Sequence, residues 1–127
     1  VSAASAAIRS QRFPRAMRLR RTDDFERLRA AGRRLAKGCL VANWSVLPGG
    51  AVSQLGVIAG KRLGPATVRH RAKRLLRETF RLHRQELSVP VKLVLVARDS
   101  IVGKKLADVE RDFLALMRQA RLLKESS

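Results

Sequence analysis

The sequence has no tyrosine, one cysteine, two histidines and only 10 acidic residues in 127. Each shortage closes off a class of protein. A single thiol, Cys39, permits no intramolecular disulfide, and Cys39 with His70 and His83 makes no ligand set for a structural zinc. So few carboxylates leave little from which to build a protein nuclease that holds its own metal. No apolar run approaches the roughly 18 residues of a membrane span, and where a signal peptide would be apolar the chain has Arg9, Arg12, Arg15 and Arg18. A cytoplasmic protein in a reducing compartment, with no membrane partner, is the expectation. The Ser/Ala/Arg-rich residues 1–17 read as a disordered basic arm, with an organelle transit sequence as the alternative.

What the chain has in abundance is positive charge. Its 28 Lys+Arg against 10 Asp+Glu give +18, a surface that repels itself until a polyanion neutralises it, so nucleic acid is the leading partner class. The 46% apolar content separates it from disordered basic tails, and the length suits one domain, expected over residues 18–127. The excess is localised. Arg9 to Lys37 carries 11 basic and 3 acidic residues, Lys61 to Arg84 carries 9 and 1, and the remainder carries 8 and 6. Between the two basic blocks, Gly38 to Gly60 holds no charged side chain at all. A neutral patch between two cationic elements is the layout of a nucleic-acid-binding face.

Local patterns predict six elements. Thr22 caps a short helix with Asp23, Asp24 and Glu26 in its first turn, and Gly32 ends it. Cys39 to Leu47 alternates as a strand, with Leu40, Ala42, Trp44 and Val46 on its apolar face. Pro48-Gly49-Gly50 turns the chain into a second strand, Val52 to Ala59, at a separation that suits an antiparallel hairpin. A long helix runs from Pro65 to about Leu87, where Ser88-Val89-Pro90 stops it. Val91 to Ala97 is apolar and β-branched enough to be a strand covered on both faces, with Lys92 at an accessible end. Leu106, Val109, Phe113, Leu116, Met117, Ala120 and Leu123 keep helical spacing. The order αββαβα is that of an α+β two-layer sandwich.

At about 100° per residue the long helix puts Val68, Ala72, Leu75, Thr79 and Leu82 on one stripe, while Arg69, His70, Lys73, Arg74, Arg77, Arg81 and Arg84 fill a separate arc. A solvated face would alternate sign, but Glu78 is the only acid before Glu86. Phosphate binding explains this arc better than solvation does. Catalytic groups do not assemble: His70 has no carboxylate to orient it, His83 sits near the apolar side as a packing residue, and the helix dipole accounts for Asp23, Asp24 and Glu26 without Mg²⁺. Gly56 to Arg62 is one residue short of a phosphate-binding loop and has Arg62 where Ser or Thr would meet the metal. Among the five aromatic residues Phe25 is the candidate for stacking on a base, with core packing as the alternative, and Trp44 reads as core.

The run from Lys61-Arg62-Leu63-Gly64-Pro65-Ala66-Thr67-Val68-Arg69-His70-Arg71-Ala72-Lys73-Arg74 to Leu75-Leu76-Arg77-Glu78 resembles the signature segment of the bacterial ribonuclease P protein family. Upstream, Arg20-Arg21-Thr22-Asp23-Asp24-Phe25 and then Gly32-Arg33-Arg34 are similar to that family's first helix and its exit. Downstream, Val91 to Arg98 is similar to its strand ending in Ala-Arg. The resemblance covers about residues 18–124. Three positions depart from it: His70 stands where the family has the Asn of an Arg-Asn-Arg triplet, Thr67 stands for Val, and Asn43 stands where an aromatic is common. Residues 1–17 lie outside it, and Met17-Arg18-Leu19-Arg20 looks like a start, so residues 1–16 are either an extension or lead-in sequence.

The resemblance implies the fold of the second domain of ribosomal protein S5, with a left-handed β-α-β crossover against the right-handed default. It also implies a protein that is monomeric alone and serves as the subunit of a ribonucleoprotein endoribonuclease. A catalytic RNA, holding most of the Mg²⁺, removes the 5′ leader of precursor tRNA, and the protein alone binds no metal and supplies no catalytic residue. Phe25, Val41 and Asn43 would line the leader cleft. Lys61, Arg62, Arg69, His70, Arg71, Lys73, Arg74 and Arg77 would meet the catalytic RNA. Composition by itself is equally compatible with a ribosomal protein or RNA chaperone; a metal-dependent protein nuclease would require a carboxylate cluster.

Overall fold

The structure, a computed structural model, describes residues 32–124. The expected arm, the helix from Thr22 and Phe25 itself lie outside the described residues. In chain order the elements are β1 (Arg33–Lys37), β2 (Leu40–Val46), β3 (Gln54–Ile58), α1 (Ala66–His83), β4 (Val91–Ala97) and α2 (Leu106–Gln119), with short 3₁₀ turns at Lys61–Leu63, Arg84–Glu86 and Asp99–Ile101. The protein is an α+β fold with one four-stranded sheet, ordered β1-β2-β4-β3. β4 is interior, pairing antiparallel with β2 and parallel with β3, and among the described residues helices cover one of its faces rather than the expected two. The parallel pair β3 and β4 is joined through α1, the crossover such a pair requires.

Side-chain alternation sorts the sheet into two faces. Leu40, Ala42 and Trp44 of β2, Leu55 of β3, and Leu93 and Leu95 of β4 face the helices and form one core with Ala72, Leu76 and Phe80 of α1 and Val109, Phe113, Leu116 and Met117 of α2. Full burial of each large side chain contributes about 1.5–3 kcal/mol, so this core carries the stability of the domain. Trp44 is core, as expected. Thr79, the one buried polar residue among those described, donates its hydroxyl to the carbonyl of Leu75 at 2.8 Å.

Three local expectations give way. The strands at 40–46 and 54–58 are not a hairpin: β4 lies between them, so β2 runs antiparallel to β4 and β3 parallel to it. A short Pro-Gly-Gly connection turns the chain but does not choose its partner, and the apolar β4 takes the interior place, where both its edges are paired. The hairpin instead joins β2 to β1, a strand that its exposed, basic sequence Arg33–Lys37 does not announce. Its two-residue turn places Gly38 at φ 55°, and a Cβ there would meet the Asp112 carboxylate at 2.1 Å. Asp112 Oδ2 accepts the Cys39 N–H at 3.0 Å, tying the turn to α2. In α1 the buried stripe is Ala72, Leu76, Thr79 and Phe80, and Leu82, expected on it, is 45% exposed. The helix also stops at His83 rather than near Leu87, its last turn tightening into the 3₁₀ segment Arg84–Glu86.

Candidate nucleic-acid interface

The approach to α1 is built from a buried anchor and a special backbone. Leu63 is buried beneath the turn Lys61–Leu63 and leaves Lys61 and Arg62 exposed, while Gly64 takes φ 135°, where a side chain is strained. Pro65 then caps the helix, its carbonyl accepting the N–H of Val68 at 3.0 Å and of Arg69 at 3.1 Å. No acidic residue stands in the first turn, so the positive end of the helix dipole adds to the side-chain cations instead of being offset.

From Arg69 to Arg77 the expected residues of α1 share a basic surface. His70, Arg71 and Arg74 are exposed, and Arg69, Lys73 and Arg77 are half-buried. Among the described residues no carboxylate pairs with Arg69, Lys73 or Arg74. Arg69 Nε is shut away from solvent with no acceptor, a desolvated donor kept at a cost. Arg62 approaches Asp99 at 3.9 Å, with side chains 89% and 71% exposed, a pair too solvated to hold it. Arg71 is partly committed: its Nη2 donates to the carbonyl of Lys104 at 2.8 Å and fastens the loop before α2 to the helix.

The second half of α1 is different. Arg81 binds Glu78 through both guanidinium edges, Nε donating to Oε2 at 3.1 Å. The bond to Arg81 holds the Glu78 carboxyl below the usual range and raises Arg81. His83 has a carboxylate at each ring nitrogen, Glu86 at Nδ1 and Glu110 Oε2 3.1 Å from Nε2. Burial works against its charged form, but the two glutamates outweigh burial and hold His83 above its usual range. Its ring also lies 6.3 Å from that of Phe113. His83 is therefore a half-buried packing residue, as its position in the pattern suggests, and also a clamp between α1 and α2 that protonation strengthens.

Val41 and Asn43 belong to the sheet face turned away from the helices. Their register partners are Val96 and Val94, and Ile58 completes an apolar strip with those two valines. Val41 is 7% exposed and Asn43 half-buried. The structure thus places Val41 and Asn43 on the face of the sheet opposite α1 and its cations, with Lys61 and Arg62 at the loop that leads from β3 into α1, while Phe25 lies outside the described residues. Ile58, Val94 and Val96 were missing from the sequence reading because alternation assigns a face only once register is known.

The one thiol of the chain is not activated. Burial, with Asp112 beside it, pushes the Cys39 thiol up to about 11, and a thiol so raised is a poor nucleophile. Among the described residues no three His, Cys, Asp or Glu side chains gather as metal ligands, and no helix is long and apolar enough to cross a membrane. The arrangement offers cations, hydrogen-bond donors and an apolar sheet face.

Known proteins resemble this chain in sequence and in fold. The family profile described as Ribonuclease P matches residues 13–121. The ribonuclease P protein component of Desulfovibrio desulfuricans is 38% identical over 122 residues, covering 91% of this chain and 92% of the relative. That of Chloroflexus aggregans is 36% identical over 111 residues, covering 86% and 81%. In shape, the RNase P protein of Staphylococcus aureus superposes with a TM-score of 0.77 at 22% identity, over 87% of this chain and all of that one. The RNase P protein of Thermotoga maritima gives 0.71 at 25% identity, over 80% and 96%.

Proposed function

Because the chain belongs to the ribonuclease P protein family, we propose that it is the cytoplasmic protein subunit that holds the catalytic RNA and the 5′ leader of precursor tRNA while the leader is removed. Membership makes it part of a tRNA-processing ribonucleoprotein endoribonuclease with an RNA partner. The observation that carries the finer reading is the first half of α1, where Arg69, Lys73 and Arg74 stand without carboxylates beside exposed Lys61 and Arg62. Fixed cations on one helix face neutralise phosphates and release their counterions. These residues, with His70, Arg71 and Arg77, form the contact to the catalytic RNA. His70, in the middle of the basic triplet, keeps hydrogen-bonding capacity of both kinds.

The leader lies on the opposite face of the sheet, along Val41 and Asn43, with Phe25 as the stacking residue. Asn43 supplies a hydrogen bond rather than a ring, so leader contact depends less on stacking here than where an aromatic stands at that position. The described residues do not fit a resident Mg²⁺, since no cluster of ligands is present among them; hydrated Mg²⁺ suits phosphate oxygens, which the RNA supplies. The protein's part is to bind, to orient the substrate and to offset phosphate repulsion between the two RNAs.

Reconstitution tests this reading. The full chain, a bacterial ribonuclease P RNA and a precursor tRNA are combined at low Mg²⁺, beside each component alone and beside mature tRNA as competitor. Cleavage only in the complete mixture, with leader-bearing tRNA preferred over mature tRNA, is the expected result. Intact RNA binding without rescue would move the protein to a ribosomal or chaperone role, and cleavage by the chain alone would place catalysis in the protein.

A further inference from the structure

The C-terminal end of α2 is closed by two backbone bonds, Arg121 N–H to the Arg118 carbonyl at 3.0 Å and Leu122 N–H to the Met117 carbonyl at 2.9 Å. This is the Schellman arrangement, whose residue after the C-cap, here Ala120, turns left-handed and is cheapest as glycine. The chain has Arg121 there, at φ 60°, the one non-glycine residue with positive φ among those described. The helix dipole does not account for it, because Arg118 already occupies the last turn. A residue kept in an unfavourable conformation points to what its side chain does.

Arg121 borders a groove of about 580 Å³ lined also by Arg33, Trp44, Ser45, Ser88 and Val89. Arg33 pairs with Trp44 in register, so it lies on the helix-facing side of the edge strand β1, past the end of α2. Both arginines are exposed, and among the described residues neither meets a carboxylate. Ser88 spends its hydroxyl proton on the Leu122 carbonyl at 3.1 Å, which holds the groove's two banks together. Two guanidinium groups without carboxylate partners on the border of one groove match the charge of a phosphate backbone.

We propose that this groove is a second RNA site, in which Arg33 and Arg121 take phosphates of the catalytic RNA. The proposal rests on the RNA-binding reading above and extends it to a surface away from α1. Val46 pairs with Val91 at the groove's end of the sheet, and Ile58 pairs with Val96 at the end from which Lys61 and Arg62 emerge. Five residues of β4 separate the two, roughly 17 Å at the rise of a strand. The two sites thus engage separate stretches of RNA and fix the protein's orientation, which one basic helix cannot do alone. The catalytic RNA is the partner because the groove opens on the helix side of the sheet, opposite the face that carries Val41 and Asn43.

The test uses the full chain with labelled ribonuclease P RNA and, separately, precursor tRNA, reading Kd against salt and Tm. Arg121→Gly is expected to raise Tm by about 2–6 °C by relieving the left-handed arginine, yet to weaken the catalytic RNA roughly tenfold at low salt. Arg121→Asn, which also tolerates that geometry, should weaken binding equally. Adding Arg33→Ala should flatten the log–log salt slope by about 1.4, the loss of two phosphate contacts. Arg118→Ala, outside the groove, sets the effect of bulk charge. Unchanged binding by both Arg121 variants, a loss matched by Arg118→Ala, or a loss confined to precursor tRNA would overturn the proposal. Arg74→Ala in parallel keeps the outcomes apart: if it weakens binding and the Arg121 variants do not, only the second site fails, and if it too is silent on a salt-independent complex, the RNA reading of α1 fails with it.

Discussion

Residues 66–74 and 75–83 of α1 lie on one helix and both bring cations to its surface, but they meet different partners. In the first half, Arg69, Lys73 and Arg74 have no carboxylate among the described residues, and a guanidinium nitrogen of Arg69 is desolvated with no acceptor. In the second half Arg81 is bound to Glu78, and His83 lies between Glu86 and Glu110. The core follows the same division, with Leu76, Thr79 and Phe80 inaccessible in the second half and Ala72 the one buried side chain of the first. Charge counted along the sequence does not separate structure from binding; pairing does. Repulsion among unpaired cations is tolerated where a polyanion is to relieve it, and the paired end secures the helix against α2.

The comparison can be broken most severely from the paired end. Phe80→Ala removes a fully buried ring and should cost about 3–5 kcal/mol in denaturant unfolding, whereas Arg74→Ala, on an exposed site, should stay within about 0.5 kcal/mol. Equal losses would erase the distinction between the halves. Next in size is binding: combining Arg69→Ala, Lys73→Ala and Arg74→Ala should lower the steepness of the salt dependence by about 2 and weaken the catalytic RNA more than tenfold, with Tm held or raised. A collapse in Tm would mean that these cations are structural.

The His83 clamp gives a pH signature. Its folded pKa is raised, so its contribution is fully present below the unfolded value near 6.5 and is lost as pH rises through the folded value. Unfolding monitored from pH 6 upward should show that decline, and His83→Gln should remove it while leaving RNA affinity at fixed pH unchanged. The smallest effect is expected for Glu78→Gln, which frees Arg81. Stability should fall by about 0.5 kcal/mol or less, since the pair is partly solvated, and RNA affinity should rise slightly as one more cation becomes available. A large stability loss would show that the pair is more deeply built in than its exposure suggests.

Much of the fold was legible before the structure. Val91–Ala97 declared itself as a strand, though among the described residues helices cover one of its faces and not both, Trp44 declared itself as core, and the arc from Arg69 to Arg84 as cationic, though Arg81 on it is taken by Glu78. Strand order was not legible, because turn residues between 46 and 54 report a change of direction and nothing about which edge each strand will use. β1 was hidden because its pairing is made by backbone groups while its side chains look like a solvated loop. Leu82 was misplaced because evenly spaced apolar residues fit two adjacent stripes of a helix, and packing selected the one holding Leu76 and Phe80. Of the pairs that distinguish the halves of α1, Glu78–Arg81 and His83–Glu86 stand at i,i+3 spacing and were within reach of the sequence, whereas Glu110 comes from α2, 27 residues beyond His83. Phe25, on which the leader reading leans, lies outside the described residues.

The central claim is that fixed cations of this domain grip RNA through its phosphates. The most direct measurement is the affinity of the full chain for ribonuclease P RNA across a series of salt concentrations. Neutralising about six phosphates predicts a log–log slope near −4. A slope near zero would contradict the account.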